Sequence, residues 1–216
     1  MNMCREIAGK LLEIGAVTVR GTENLFTWAS GIQSPIYCDN RLTMGYPDVR
    51  EMIAQEFVDV INVYYPEVEV LVGTATAGIP HAAWAAQKMD LPMAYVRSSA
   101  KGHGKGNQVE GKIEKGQKAV VIEDLLSTGG SSVKAVQALR EEGVEVLGVV
   151  AIFTYGFPQV EETFATEKIQ YHTLTNYQAL LPMAVEKGMI QRHEQELLEK
   201  WGKDPYIFTE QKHSVF

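Results

Sequence analysis

Cysteine is scarce: the chain of 216 residues carries two, Cys4 and Cys38. Neither stands at a metal-ligand spacing, which excludes a zinc-type cluster and a disulfide framework and favours a reducing compartment. Excess positive charge is also missing. Twenty Lys and Arg against 27 Asp and Glu leave a net charge of −7, which argues against a general nucleic-acid binder. No apolar run is long enough to cross a bilayer, since the strongest spans only Val146 to Phe153. The N-terminus lacks a basic segment followed by an apolar core, so no signal peptide is read. Internal repeats and low-complexity segments are absent. So are a Gly-x4-Gly-Lys phosphate loop and a Gly-x-Gly-x-x-Gly turn after a strand. The expectation is one cytoplasmic globular domain, residues 1–216, that engages neither membrane nor nucleic acid.

What is present alternates in period. Residues 3–14 place Ile7, Leu11, Leu12 and Ile14 on one helical face, and residues 16–19 read as a short strand. The segment from Phe26 to Arg41 frames aromatic and β-branched residues between two turn signals and suggests a hairpin. A long helix is expected from Pro47 to Pro66, then a strand over residues 68–73 and a helix over 79–89. Strands follow over 92–96, 120–122, 144–153 and 169–174. Helices are expected over 158–166, 177–186 (capped by Asn176) and 191–201. Strands alternating with helices give an α/β fold: a parallel central sheet with helices on both faces. Ligands of such sheets sit beyond the carboxyl ends of the strands. The loops after Gly73, Val96 and Asp124 all fall at that edge.

The chain is organised around Val120-Val121-Ile122-Glu123-Asp124-Leu125-Leu126-Ser127-Thr128-Gly129-Gly130-Ser131-Ser132. Three β-branched residues mark a strand buried on both faces. The hydroxyl and glycine run lets backbone N–H groups turn towards an anion, and the helix that follows adds its dipole. Val133, Val136 and Leu139 form that helix's apolar face, and Gly143 ends it. A phosphate suits the loop. Glu123 and Asp124 do not suit a phosphate, because like charges repel. They suit sugar hydroxyls, held directly or through a divalent cation. A diol beside a phosphate describes a ribose 5-phosphate.

A second unusual segment runs Arg97-Ser98-Ser99-Ala100-Lys101-Gly102-His103-Gly104-Lys105-Gly106-Asn107-Gln108. It has three glycines, several basic side chains and no large apolar residue. After a core strand, this composition reads as a cationic lid over an anion.

The thirteen-residue motif resembles the phosphoribosyl pyrophosphate (PRPP) motif of the type I phosphoribosyltransferases. Three further segments narrow the likeness to the orotate phosphoribosyltransferase family. Ser30-Gly31 with Ser34-Pro35-Ile36-Tyr37 and Asp39-Asn40-Arg41 resembles that family's N-terminal hood, which implies a small hood subdomain over about residues 1–45. Gly73-Thr74-Ala75-Thr76-Ala77-Gly78-Ile79-Pro80 is similar to its pyrophosphate loop. Tyr95-Val96-Arg97 with Lys101-Gly102-His103-Gly104 is similar to its catalytic loop. The chain departs from the pattern at Ala29 and Ser98, where many members carry a basic residue.

The resemblance implies orotate plus PRPP giving orotidine 5′-monophosphate and pyrophosphate, in pyrimidine biosynthesis. It implies catalytic roles for Lys101, His103 and Asp124. PRPP contacts would come from Arg97, Lys101, His103, Glu123, Asp124, Leu125, Leu126, Ser127, Thr128, Gly129, Gly130 and Ser131. Ser127 would also touch orotate. Mg²⁺ would arrive with PRPP, since no all-protein cage is visible. A homodimer is implied, its lid residues Arg97, Lys101 and His103 reaching the neighbouring site. The rival readings are a purine phosphoribosyltransferase and a non-catalytic PRPP-sensing regulator. The hood signature opposes the first; the negative charge and the lid oppose the second. His81, His172, His193 and His213 stand alone and are read as structural.

Overall fold

The computed structural model describes residues 3–22, 24–28, 31–99 and 108–210. The chain opens with helix α1 (Met3–Glu13) and strand β1 (Val17–Val19). The expected hairpin is split. β2 (Phe26–Thr27) pairs with β3 (Gln33–Ser34), while β4 (Ile36–Cys38) turns away and pairs with β1. A 3-10 turn over Asn40–Gly45 then leads into α2 (Pro47–Tyr64), with Pro47 in its first turn.

The central sheet follows: β5 (Val70–Thr74), α3 (Gly78–Met89), β6 (Met93–Val96), β7 (Val109–Glu110), β8 (Lys118–Leu126), α4 (Gly130–Glu141), β9 (Glu145–Thr154), α5 (Pro158–Thr166) and β10 (Tyr171–Asn176). Strand order is β10-β9-β8-β5-β6-β7, all parallel except β7 against β6. The chain ends in α6 (Tyr177–Glu186), a 3-10 turn, α7 (Gln195–Lys203) and α8 (Ile207–Glu210). Asn176 caps α6 as expected, its Oδ1 accepting from Ala179 N at 2.9 Å.

The sheet is buried on both faces, as the apolar runs require. Alternate residues of β8 serve different layers. Val120 and Ile122 pack under α1, α2 and α3; Ala119 and Val121 pack under α4 and α5. No helix among the described residues is long and apolar enough to cross a membrane.

Three features depart from the sequence expectation. β8 does not stop at Ile122; it continues through Glu123 and Asp124 to Leu126, paired with β9 to the end. β7 was not expected, because two residues carry no period. The tail beyond Gly202, which shows no pattern, forms α8 and buries Phe208. There Thr209 Oγ1 accepts from Gln33 N at 3.2 Å, and the buried Trp201 donates from Nε1 to Gln33 O at 3.0 Å. The two ends of the chain therefore close on each other.

Gly73 shows how tightly the first loop is held. A Cβ at this position would lie 2.8 Å from Ile79 Cα and 2.9 Å from Gly78 O. Both neighbours are backbone, so Gly73→Ala must push the start of α3 away from the sheet. The expected cost is about 1–3 kcal/mol, read from the urea midpoint. An unchanged midpoint would mean that the turn yields freely.

Candidate functional site

The carboxyl ends of β5, β6, β8 and β9 meet at one edge, and the candidate residues of the described chain gather there. The end of β8 carries two neighbouring carboxylates. Glu123 continues the side of Ala119 and Val121. It is buried under α4, where its Oε2 accepts from Ser131 Oγ at 2.9 Å and Ser132 Oγ at 3.1 Å. Asp124 lines the polar cavity beside Glu123, and its backbone meets the turn after β4. Asn40, itself buried, donates from Nδ2 to Asp124 O at 2.6 Å and accepts from Cys38 Sγ at 3.3 Å.

After Leu126 the chain turns into α4. Gly129 adopts φ +79°, and a Cβ there would meet Phe164 Cε1 at 2.5 Å, so glycine is required on two counts. The first turn of α4 presents N–H groups without intrahelical partners, beside the exposed Thr128 and the half-buried Ser127. Leu126 has no such exposure; it is fully buried in the layer under α4 and α5.

Two cavities flank this edge and share Cys38 and Leu125 as a common wall. One, of about 420 Å³, is polar: Asp124, Glu123, Asp39, Arg41, Ser131 and the backbone of Ala75 to Ala77 line it. The other, of about 370 Å³, is aromatic, with Phe26, Trp28, Tyr37 and Tyr155 around Thr27 and Ser127. A charged cleft thus adjoins an aromatic slot.

The acidic groups interact. Burial, and then the neighbouring Glu123, push the Asp124 carboxyl up to about 7. The Cys38 thiol is raised well above its ordinary range by burial, with Asp124 and Asp39 adding to the effect. Asp39 moves the other way. Arg41 donates to it from Nε at 2.6 Å and Nη2 at 2.8 Å, which lowers its pKa. Among the described residues no group of three or more His, Cys, Asp or Glu could hold a metal ion.

Arg97 stands at the end of β6, where its N–H donates to Gln108 O at 2.8 Å. The ends of the cationic segment are therefore pinned together. Its guanidinium lies 3.6 Å from Glu110 Oε1. It also lines a third cavity, of about 200 Å³, with Thr74, Ser98, Ser131 and Lys134. Lys101, His103, Ala29 and Ser30 lie outside the described residues, as does His213. His81 is a core residue, its pKa lowered to about 4 by burial between Phe57 and Trp84. His172 stacks on Tyr64 at 3.7 Å between centroids.

Sequence reading did not single out Asn40, Cys38 or the aromatic wall as site residues. Tyr155 could have been found, because it follows a parallel strand directly at the carboxyl edge. Phe26 and Trp28 carry no such local signal.

The model of the phosphoribosyl transferase domain family matches residues 44–175. The chain is 62% identical over 198 residues to an orotate phosphoribosyltransferase of Fusobacterium nucleatum, covering 91% of this chain and 94% of that protein. It is 57% identical over 203 residues to one of Bacillus cereus, covering 94% and 96%. Among solved structures it is similar to the orotate phosphoribosyltransferase from Aeropyrum pernix. That match has a TM-score of 0.73 and 29% identity, over 84% of this chain and 98% of the other.

The pH dependence of stability tests the burial of Asp124. A carboxyl raised from 3.8 to about 7 favours the protonated folded form. Its contribution is full below the unfolded value and is lost as pH rises through about 7. Asp124→Asn removes that loss. Its stability relative to the unaltered chain should therefore grow between pH 4 and pH 8, by on the order of 1–4 kcal/mol. Denaturant melts at the two pH values measure it, and a difference independent of pH would place the carboxylate in open solvent.

Proposed function

This chain belongs to the orotate phosphoribosyltransferases, and on that premise we propose how its residues carry the reaction. The enzyme joins orotate to the ribose 5-phosphate of PRPP and releases pyrophosphate, giving orotidine 5′-monophosphate in pyrimidine biosynthesis. The observation that supports the assignment of subsites is the pair of cavities sharing one wall. The ribose and its phosphates fit the polar cavity, and orotate fits the aromatic one.

In this reading the amides and hydroxyls from Ser127 to Ser131, with Thr128, hold the 5′-phosphate. Leu125 and Leu126 bring that loop to the sheet edge, Leu125 as part of the cavity wall. Asp124 accepts from the ribose hydroxyls. Glu123 stands behind it, orienting the first turn of α4 through Ser131 and Ser132 and adding negative charge. Breaking the anomeric C–O bond leaves positive charge on the ribose and negative charge on pyrophosphate, so the protein's work is electrostatic positioning. Ser127, lining the aromatic cavity, touches orotate.

Phosphoribosyltransferases in general use PRPP with Mg²⁺. The donors here fit an ion that enters with its substrate: Asp124 faces the polar cavity, while Glu123 is occupied by hydroxyls. When bound, the ion would neutralise pyrophosphate oxygens. Its positive charge would also favour ionised Asp124.

Arg97, Lys101 and His103 are assigned to the leaving pyrophosphate, as a lid reaching the neighbouring site of a homodimer. The pinned ends of the segment at Arg97 and Gln108 support a hinged lid. Residues up to about 45 are assigned to a hood over the site within a single-domain chain. The contacts of β4 and Asn40 with the polar edge support this. A cytoplasmic location follows from the reaction assigned.

The test is loss of orotate absorbance on adding PRPP and Mg²⁺, with adenine, hypoxanthine and uracil in parallel. Turnover of orotate alone is expected. Binding of PRPP with no turnover of any base would instead indicate a regulator. Lys101→Ala should lower kcat by about a hundredfold, near 3 kcal/mol. A kcat close to that of the unaltered chain would remove the lid assignment.

A further inference from the structure

The aromatic cavity poses an electrostatic problem that its lining does not solve. Orotate is a pyrimidine bearing a carboxylate, yet no lining residue of this cavity is basic. The acidic groups Asp39, Asp124 and Glu123 lie just across the shared wall. Unpaired, a carboxylate entering here would be repelled and partly desolvated.

Other nearby cations are committed elsewhere. Arg41 is held bidentately by Asp39 and lines the polar cavity. Arg97 and Lys134 line the third cavity. Arg50 lies over Trp84. Arg20 differs. It follows β1, its backbone N–H donates to Pro35 O at 2.7 Å, and its guanidinium carbon lies 3.8 Å from the centroid of Phe26. Phe26 forms the cavity wall together with Tyr37, 5.7 Å away between centroids. Arg20 is half-buried, and among the described residues no carboxylate pairs with it. Arg20 is not itself a lining residue; its guanidinium lies against a ring that is, and among the described residues no hydrogen bond engages its side-chain N–H groups, which leaves them for the two parallel hydrogen bonds a carboxylate makes.

We propose that Arg20, stacked on Phe26 at the aromatic cavity, receives the acceptor's carboxylate and so selects orotate over uncharged pyrimidines. This rests on the assignment of the aromatic cavity to the base. The side chain is a specificity determinant: it takes no part in breaking the anomeric bond.

Steady-state kinetics on the full chain test it, with Arg20→Gln, Arg20→Lys and Thr27→Trp beside the unaltered protein. The readouts are KM for orotate, KM for PRPP and the inhibition constant of uracil, a related ring without the carboxylate. Arg20→Gln should raise the orotate KM about tenfold or more while PRPP and uracil stay within about twofold. Arg20→Lys, which keeps the charge but loses the fork, should fall between, and it reads the clamp even if the Gln variant folds poorly. Thr27→Trp narrows the cavity and should weaken orotate and uracil together. If only Thr27→Trp moves the orotate KM, the clamp is overturned and the cavity assignment stands. If neither variant moves it, the cavity assignment falls and takes the clamp with it. An equal rise for orotate and uracil in Arg20→Gln would make Arg20 a packing residue and overturn the proposal.

Discussion

Two carboxylates held side by side repel each other, and this constraint organises the site. Because β8 runs on through Glu123 and Asp124, both are fixed on the wall of one polar cavity, close enough to interact. Glu123 reaches α4, where two hydroxyls and the backbone N–H of Asp124 hold it. The backbone of Asp124 is tied to the N-terminal segment through Asn40. Had the strand ended at Ile122, both carboxylates would lie in a loop with no fixed relation to each other. Continued pairing with β9, Glu123 opposite Ala151 and Leu125 opposite Phe153, removes that freedom.

Their proximity has an electrostatic consequence. Two adjacent carboxylates ionise together only against repulsion, and burial adds to the cost. Hydroxyl and N–H donors hold the Glu123 carboxylate in place. Asp124 lacks comparable side-chain donors, and burial with its acidic neighbour raises its pKa. A cationic partner in the polar cavity would reverse that balance. The acidic wall of the polar cavity is therefore suited to a positively charged ligand.

Much of this could be read from residue order. Strands buried on both faces leave apolar runs, helix starts leave Pro47 and Asn176, and the turn from β8 into α4 leaves its hydroxyls and glycines. These are local patterns, and the structure holds them in place with shifts of at most four residues at the ends. Other features were not legible, because they depend on contacts between distant segments. Asn40 meets Asp124 across 84 positions, and Trp201 meets Gln33 across 168. No local periodicity encodes such a meeting. The aromatic wall draws Phe26, Trp28 and Tyr155 from two separate stretches for the same reason.

The closing of the two chain ends explains why so irregular an N-terminal segment can keep a cavity open. β2 and β3 have two residues each, too little to stand alone. Trp28 packs edge-on to Trp201, and Tyr155 and Phe157 stack beside them. Trp201 is anchored in turn by Gln33 and packs against Tyr177 of α6. The rigidity of the slot is thus borrowed from the C-terminal helices, which sit behind the site and contribute none of the residues lining either cavity. A substitution at Trp201 would loosen the slot from behind, whereas one at Asp124 would act on the polar cavity directly. The rigidity of the aromatic cavity and the charge of the polar one are set by different parts of the chain, and they meet only at the wall formed by Cys38 and Leu125.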